Sequence, residues 1–103
     1  MPSRIKMGKL SELPPGRAIE KQILARKIAV FNFEGRLIGM ESECKHMRAS
    51  LARGGAIAGR ELTCAWHGWK YDIETGECTN HPGFKLKTYQ IEIEDDTIYL
   101  ILP

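Results

Sequence analysis

The chain has 103 residues, 43% hydrophobic and 27% charged, with a net charge of +2. These values are typical of a single globular domain and argue against disorder, a collagen-like repeat or a coiled coil. The longest apolar run, Ile98 to Leu102, is too short for a transmembrane helix, and the amino terminus shows no export signal. We therefore expect no membrane partner and a cytoplasmic location.

Alternating apolar residues separated by turn residues predict short strands along the chain. The candidate strands are residues 3–10, 18–24, 27–33, 36–42, 61–64, 70–73, 86–94 and 97–102. Glu34-Gly35 and Asp95-Asp96 supply turns for two hairpins. No helix longer than about two turns is supported, although residues 10–13 or 47–53 could form a single turn. The predicted fold class is all-β, an antiparallel sandwich or partly open barrel.

The middle of the chain, residues 43–84, does not follow this strand pattern. It is rich in glycine, proline and polar residues, and it contains all three cysteines and all three histidines. An odd number of cysteines without an export signal is a poor match to a disulfide framework. We therefore expect metal or redox chemistry to hold this region.

The cysteines and histidines form two short mixed pairs, Cys44-Lys-His46 and Cys64-Ala-Trp-His67. Two thiolates and two imidazoles are a complete ligand set for zinc, and equally for a 2Fe-2S cluster in which two histidines replace two cysteines on one iron. Zinc fingers usually pair cysteine with cysteine and histidine with histidine. Because each pair here combines one of each, the spacing favours the two-iron cluster over zinc.

The second pair continues as His67-Gly-Trp69-Lys-Tyr71-Asp72, followed by Thr75-Gly76 and Pro82, and the first continues to Leu51. From about Lys27 to Leu102 the chain resembles Rieske-type 2Fe-2S ferredoxins. Respiratory-chain Rieske proteins have a further cysteine pair where this chain has Ala49 and Trp66. The resemblance is therefore to the ferredoxins that serve dioxygenases.

This resemblance implies a single Rieske domain spanning residues 1–103, with cluster-binding loops at about 43–84 inserted in its β base domain as a small subdomain. It also implies that Cys44 and Cys64 bind one iron of a single 2Fe-2S cluster and that His46 and His67 bind the other. The implied function is one-electron transfer from a reductase to an oxygenase or similar terminal oxidoreductase, as a carrier and not as an enzyme. The alternative is a small subunit of a larger complex such as nitrite reductase.

Other residues of the middle region have simpler interpretations. Cys78 matches no ligand position and is interpreted as an inert, half-buried thiol, and His81 as a solvated loop residue. Residues 1–60 carry a net charge of +7 and residues 61–103 carry −5. The basic stretch from Cys44 to Arg60 contains no aromatic residue for base stacking, so we do not expect nucleic-acid binding. Lys45 and Arg48 instead predict a partner with an acidic surface.

Overall fold

The computed structural model describes residues 3–43, 50–51, 55–64 and 68–102, and these residues form nine strands and one short 3₁₀ turn. The strands are β1 (Ser3–Lys9), β2 (Ala18–Ile23), β3 (Arg26–Phe33), β4 (Arg36–Glu41), β5 (Gly55–Ala58), β6 (Glu61–Cys64), β7 (Lys70–Asp72), β8 (Thr88–Glu94) and β9 (Thr97–Leu102). The turn covers Leu10–Glu12. The all-β prediction is confirmed, and so is the first of the two suggested single turns.

The strands form two antiparallel sheets. The larger has six strands in the order β1-β9-β8-β4-β3-β2, and the smaller has three in the order β5-β6-β7. The outer strands of the larger sheet approach each other, because the Lys21 ammonium on β2 donates to the Lys6 carbonyl on β1 at 2.9 Å. The larger sheet is therefore nearly closed, and the smaller sheet lies between β4 and β8 in the sequence.

The two predicted hairpins are present. Glu34 and Gly35 both have positive φ, at 52° and 91°, and so do Asp95 and Asp96, at 48° and 64°. Two consecutive residues of this conformation match the right-handed twist of paired strands. These tight turns fix the registers of β3 with β4 and of β8 with β9.

Strand β3 is buried on both faces and separates two apolar layers. Val30 packs with Leu13 and Ile98 in one layer. Ala29 and Phe31 face the other layer. That second layer also contains buried residues from β4, from the small sheet and from the segments around it: Met40, Leu51, Leu62, Cys64, Trp69, Tyr71, Ile73, Cys78 and Leu86. The small sheet is thus fixed to the larger one through this second layer, called the upper core below.

The sequence did not predict strand β5. Its residues, Gly55–Ala58, include only one large apolar side chain, so the alternation that reveals a strand is too weak to detect. Its pairing with β6, for example Ile57 with Leu62, comes from tertiary structure. Among the described residues, no helix is long and apolar enough to cross a membrane.

Candidate metal centre

The residues on either side of the first ligand segment, residues 44–49, are bonded to each other. We call this pair of flanks, residues 42–43 and 50–51, the neck of the segment. Glu43 and Ser50 form an antiparallel bridge, and the Leu51 amide donates to the Ser42 carbonyl at 2.5 Å. Leu51 is buried in the upper core. Cys44 and His46 lie within this segment and so outside the described residues. The structure therefore shows that the two flanks of the segment, Glu43 and Ser50, are brought together.

The second ligand segment starts at Cys64, the last residue of β6. The Cys64 amide donates to the Trp69 carbonyl at 2.8 Å, and the Gly68 amide donates back to the Cys64 carbonyl at 3.0 Å. Gly68 has a φ of 69°, which favours glycine at this return of the chain. Residues 65–67, including His67, lie outside the described residues. Cys64 therefore lies where the chain reverses direction. Both its amide and its carbonyl are hydrogen-bonded, to Trp69 and Gly68 respectively.

A third segment, residues 77–85, braces this reversal. The Lys70 amide donates to Asn80 Oδ1 at 3.0 Å, and Asn80 Nδ2 donates to the Gly68 carbonyl at 2.9 Å. The Thr79 amide adds a bond to the Lys70 carbonyl at 2.7 Å. One amide side chain thus joins the third segment to the residues that directly follow His67.

Aromatic rings extend the contact between these two segments. The imidazole of His81 stacks on the indole of Trp69, with ring centroids 3.9 Å apart and planes 17° from parallel. Phe84 meets the same indole edge-on at 5.0 Å and is 46% exposed. Trp69 is buried, so His81 and Phe84 form the outer side of this aromatic group. The interpretation of His81 as a solvated loop residue therefore needs correction, because its half-buried ring packs on Trp69.

Cys78 belongs to the upper core. It is 6% exposed, carries a free thiol, and its sulfur lies 3.5 Å from Asn80 Oδ1. It is more deeply buried than the half-buried thiol expected from sequence. Its place among apolar side chains accounts for its presence without a ligand role.

The chemistry of the predicted donors, two thiols and two imidazoles, suits a 2Fe-2S cluster held from two segments. Cys64, the one of these donors that the structure describes, is 3% exposed and carries a free thiol, so no disulfide occupies its sulfur. Within the described residues, no group of three His, Cys, Asp or Glu side chains could hold a metal ion. The remaining predicted ligands, Cys44, His46 and His67, lie in the two segments whose flanks converge on the upper core.

Several hydrogen-bonding residues beside the ligand segments were not predicted from the sequence. Glu20, Ser42 and Ser50 form a hydrogen-bonded group at the neck of the first segment, and Asn80 braces the second. Glu20 is separated from its serines by 22 and 30 positions. No local pattern signals a contact over that distance, since Glu20 is followed directly by the polar residues Lys21 and Gln22.

A nearly closed antiparallel sheet that carries a small three-stranded sheet, with both ligand segments flanked by upper-core residues, is the architecture expected of the Rieske class of iron–sulfur proteins. The model of the Rieske [2Fe-2S] domain matches residues 3–90, so the chain belongs to this family. Its cofactor is one 2Fe-2S cluster, and the chain is an electron carrier and not a catalytic enzyme.

Individual relatives agree with this assignment. The biphenyl dioxygenase ferredoxin subunit of Pseudomonas sp. (strain KKS102) is 35% identical over 86 residues, covering 82% of this chain and 79% of the relative. The Sphingomonas yanoikuyae B1 ferredoxin superposes with a TM-score of 0.86 at 26% identity, over 98% of this chain and all of that one.

A third similarity concerns the fold alone. A Mycobacterium tuberculosis protein, assigned as the small subunit of an NADH-dependent nitrite reductase, gives a TM-score of 0.88 at 14% identity and covers 100% of this chain and 97% of that one. The architecture is therefore shared with proteins of a second kind of redox system.

Proposed function

We propose that this protein carries single electrons from a reductase to an oxygenase, with Cys44 and Cys64 on one iron and His46 and His67 on the other. One observation carries the assignment. Leu51, two residues after the first ligand segment, and Cys64 and Trp69, on either side of residues 65–67, are buried in the same upper core. The two segments that contain the four candidate ligands are therefore flanked by residues of one core.

The bound cluster would supply a site that accepts and releases one electron. The chain's own residues hold the ligands and limit movement around them. The bonds between Cys64 and Trp69 and between Gly68 and Cys64 fix the backbone on both sides of the second segment. A fixed ligand frame lowers the rearrangement that accompanies electron transfer, because the same geometry serves both charge states.

The partners follow from the relatives. The Pseudomonas relative is named as a ferredoxin subunit of a dioxygenase. A carrier of this type receives its electron from a reductase and delivers it to the terminal oxygenase. We propose the same two partners for this chain, and we propose that residues 1–103 work as one domain, with the segments between about 43 and 84 as its cluster-binding part.

We further propose that the protein works in the cytoplasm. Cys78, which the ligand assignment leaves unbound, carries a free thiol, as expected in a reducing compartment.

Metal analysis of the purified protein tests the cofactor and its ligands. We expect about two irons and two acid-labile sulfides per chain. His46→Cys and His67→Cys should each shift the spectrum toward an all-thiolate cluster or abolish it. Cys78→Ser is the matched control and should keep the spectrum, because that thiol lies in the core. Stoichiometric zinc without iron, or loss of the cluster in Cys78→Ser, would contradict the assignment.

A second candidate function is that of a small subunit in a reductase complex, the alternative that the family resemblance implies; a Mycobacterium tuberculosis protein of the same fold is assigned to that role. Co-purification from native cells separates the two. A carrier should leave its partners at raised ionic strength, whereas a subunit should remain in a complex of fixed stoichiometry.

A further inference from the structure

Glu20 occupies an unusual position for a charged side chain. In the larger sheet it lies opposite Ala29, which in turn lies opposite Met40. Ala29 and Met40 are fully buried in the upper core, and Ala18, two residues before Glu20 on the same face of β2, packs against it. The carboxylate therefore sits at the edge of an apolar layer, where it is retained only if hydrogen bonds compensate its lost hydration.

Those hydrogen bonds come from two serines. The hydroxyls of Ser42 and Ser50 both donate to the same carboxylate oxygen, Oε2, with the Ser50 bond at 2.6 Å. Ser42 is fully buried. Hydroxyl bonds to a carboxylate are shorter and stronger than bonds between neutral groups.

The two serines flank the first ligand segment. Ser42 precedes Glu43, and Ser50 is the bridge partner of Glu43. The backbone contacts between these flanks and the bonds of both serines to the Glu20 carboxylate therefore join the entry and exit of residues 44–49. Glu20 reaches both flanks from a different strand, which anchors the neck to the larger sheet.

We propose that Glu20 is a positioning residue for the iron–sulfur cluster: by binding Ser42 and Ser50 together, it sets the separation and orientation of the segment that contributes Cys44 and His46. The inference rests on the proposed ligand assignment. When the two ends of a loop are already bonded to each other, part of the conformational entropy that ligand binding would remove has already been lost. Loosening the neck should therefore speed cluster loss and broaden the range of ligand geometries.

Three variants and one control test this role. Glu20→Ala removes the acceptor, Glu20→Gln keeps an oxygen at the same reach, and Ser50→Ala removes one donor. Glu92→Ala is the control, because Glu92 is a half-exposed carboxylate on β8 that pairs with Arg4 at 3.6 Å. For each protein we would measure the thermal unfolding of the cluster-free form, the rate of cluster loss to an iron chelator, and the electron paramagnetic resonance spectrum after reduction.

We expect Glu20→Ala to lose the cluster about tenfold faster than the unmodified protein, with altered g values, since a bond to a charged group is among the stronger ones in proteins. Ser50→Ala should show a smaller increase, and combining it with Glu20→Ala should add little. Glu20→Gln should recover most of the original rate, and Glu92→Ala should match the unmodified protein. If Glu20→Ala does not fold, the test depends on Ser50→Ala. A Ser50→Ala protein with an unchanged rate of cluster loss and an unchanged electron paramagnetic resonance spectrum would then contradict the proposal.

Two results would overturn the inference. One is a Glu20→Ala protein whose cluster-loss rate and spectrum equal those of Glu92→Ala. The other is lowered thermal stability of the cluster-free form with an unchanged rate and spectrum, which would make Glu20 purely structural. Both differ from failure of the proposed function, in which the unmodified protein holds no cluster or His46→Cys leaves its spectrum unchanged.

Discussion

Trp69 is buried in the upper core and follows the second ligand segment in the sequence. It lies two residues after His67, where high-potential Rieske proteins carry a serine whose hydroxyl stabilises the extra electron. Here the position is filled by a buried indole, stacked on His81. The indole offers no hydroxyl, and Tyr71 is the nearby residue that can restore part of the effect.

We therefore expect a reduction potential in the lower half of the Rieske range of about −150 to +300 mV. Spectroelectrochemical titration of the purified protein measures it directly. A potential above about +200 mV would show that the missing serine hydroxyl does not control this cluster.

Asn80 is the residue that braces the second ligand segment. Asn80→Ala removes the acceptor for the Lys70 amide and the donor to the Gly68 carbonyl. We expect a loss of about 1–2 kcal/mol in the free energy of unfolding, together with faster cluster loss to a chelator. Gln90→Ala, at an exposed position of β8, is the control and should change neither. Equal behaviour of the two variants would show that the brace is unimportant.

At the level of elements, the two residues that flank the third segment, Gly76 and Leu86, approach each other closely. Gly76 has a φ of 82°, and a Cβ atom there would lie 2.1 Å from the Leu86 carbonyl oxygen. The Leu86 amide donates to the Gly76 carbonyl at 2.8 Å, so the two backbones cannot separate without losing this bond. Glycine is required here by space as well as by conformation.

Backbone strain alone should make Gly76→Ala less stable by about 1–3 kcal/mol. We expect a larger loss, because the new Cβ atom would also clash with the Leu86 carbonyl oxygen. Gly83→Ala is the matched control, because Gly83 also has a positive φ, 99°, but a Cβ atom there would meet no other atom within 4 Å. Chemical denaturation of both variants gives the comparison. A Gly76→Ala protein no less stable than Gly83→Ala would contradict the close packing.

The strands differ in how well they could be predicted from the sequence. The hairpins β3–β4 and β8–β9 were predictable, because strong alternation and two-residue turns are local signals. Strand β5 was not, since its pairing with β6 depends on tertiary contacts. The four candidate ligands remain a prediction from spacing and family resemblance, whereas the contacts of Glu20 and Asn80 join segments that are distant in the sequence.

At the level of the whole molecule, charge is unevenly distributed. The first ligand segment contains Lys45 and Arg48, whereas the β8–β9 hairpin carries acidic residues such as Glu94 and Asp96. Glu94 is paired with Arg4 at 3.8 Å, which reduces the charge of that hairpin. A partner that approaches the cluster should therefore meet a basic surface and present an acidic one.

Electron transfer to the oxygenase should slow as ionic strength rises, because salt screens this attraction. Reversing both charges, with Lys45→Glu and Arg48→Glu, should slow it further at low salt. Lys6→Glu with Lys9→Glu, an equal charge change at exposed positions of β1, is the control. Stopped-flow rates that are independent of salt, or equal in the two double variants, would refute this electrostatic docking.

The proposed function requires that two histidines from separate segments bind the same 2Fe-2S cluster. Pulsed electron paramagnetic resonance of the reduced protein, labelled with ¹⁵N-histidine, measures this binding. We expect couplings from two histidine nitrogens, with His46→Cys and His67→Cys each removing one, and both retained in His81→Ala. An iron–sulfur signal without histidine nitrogen coupling, or couplings that survive in His46→Cys and disappear in His81→Ala, would contradict it.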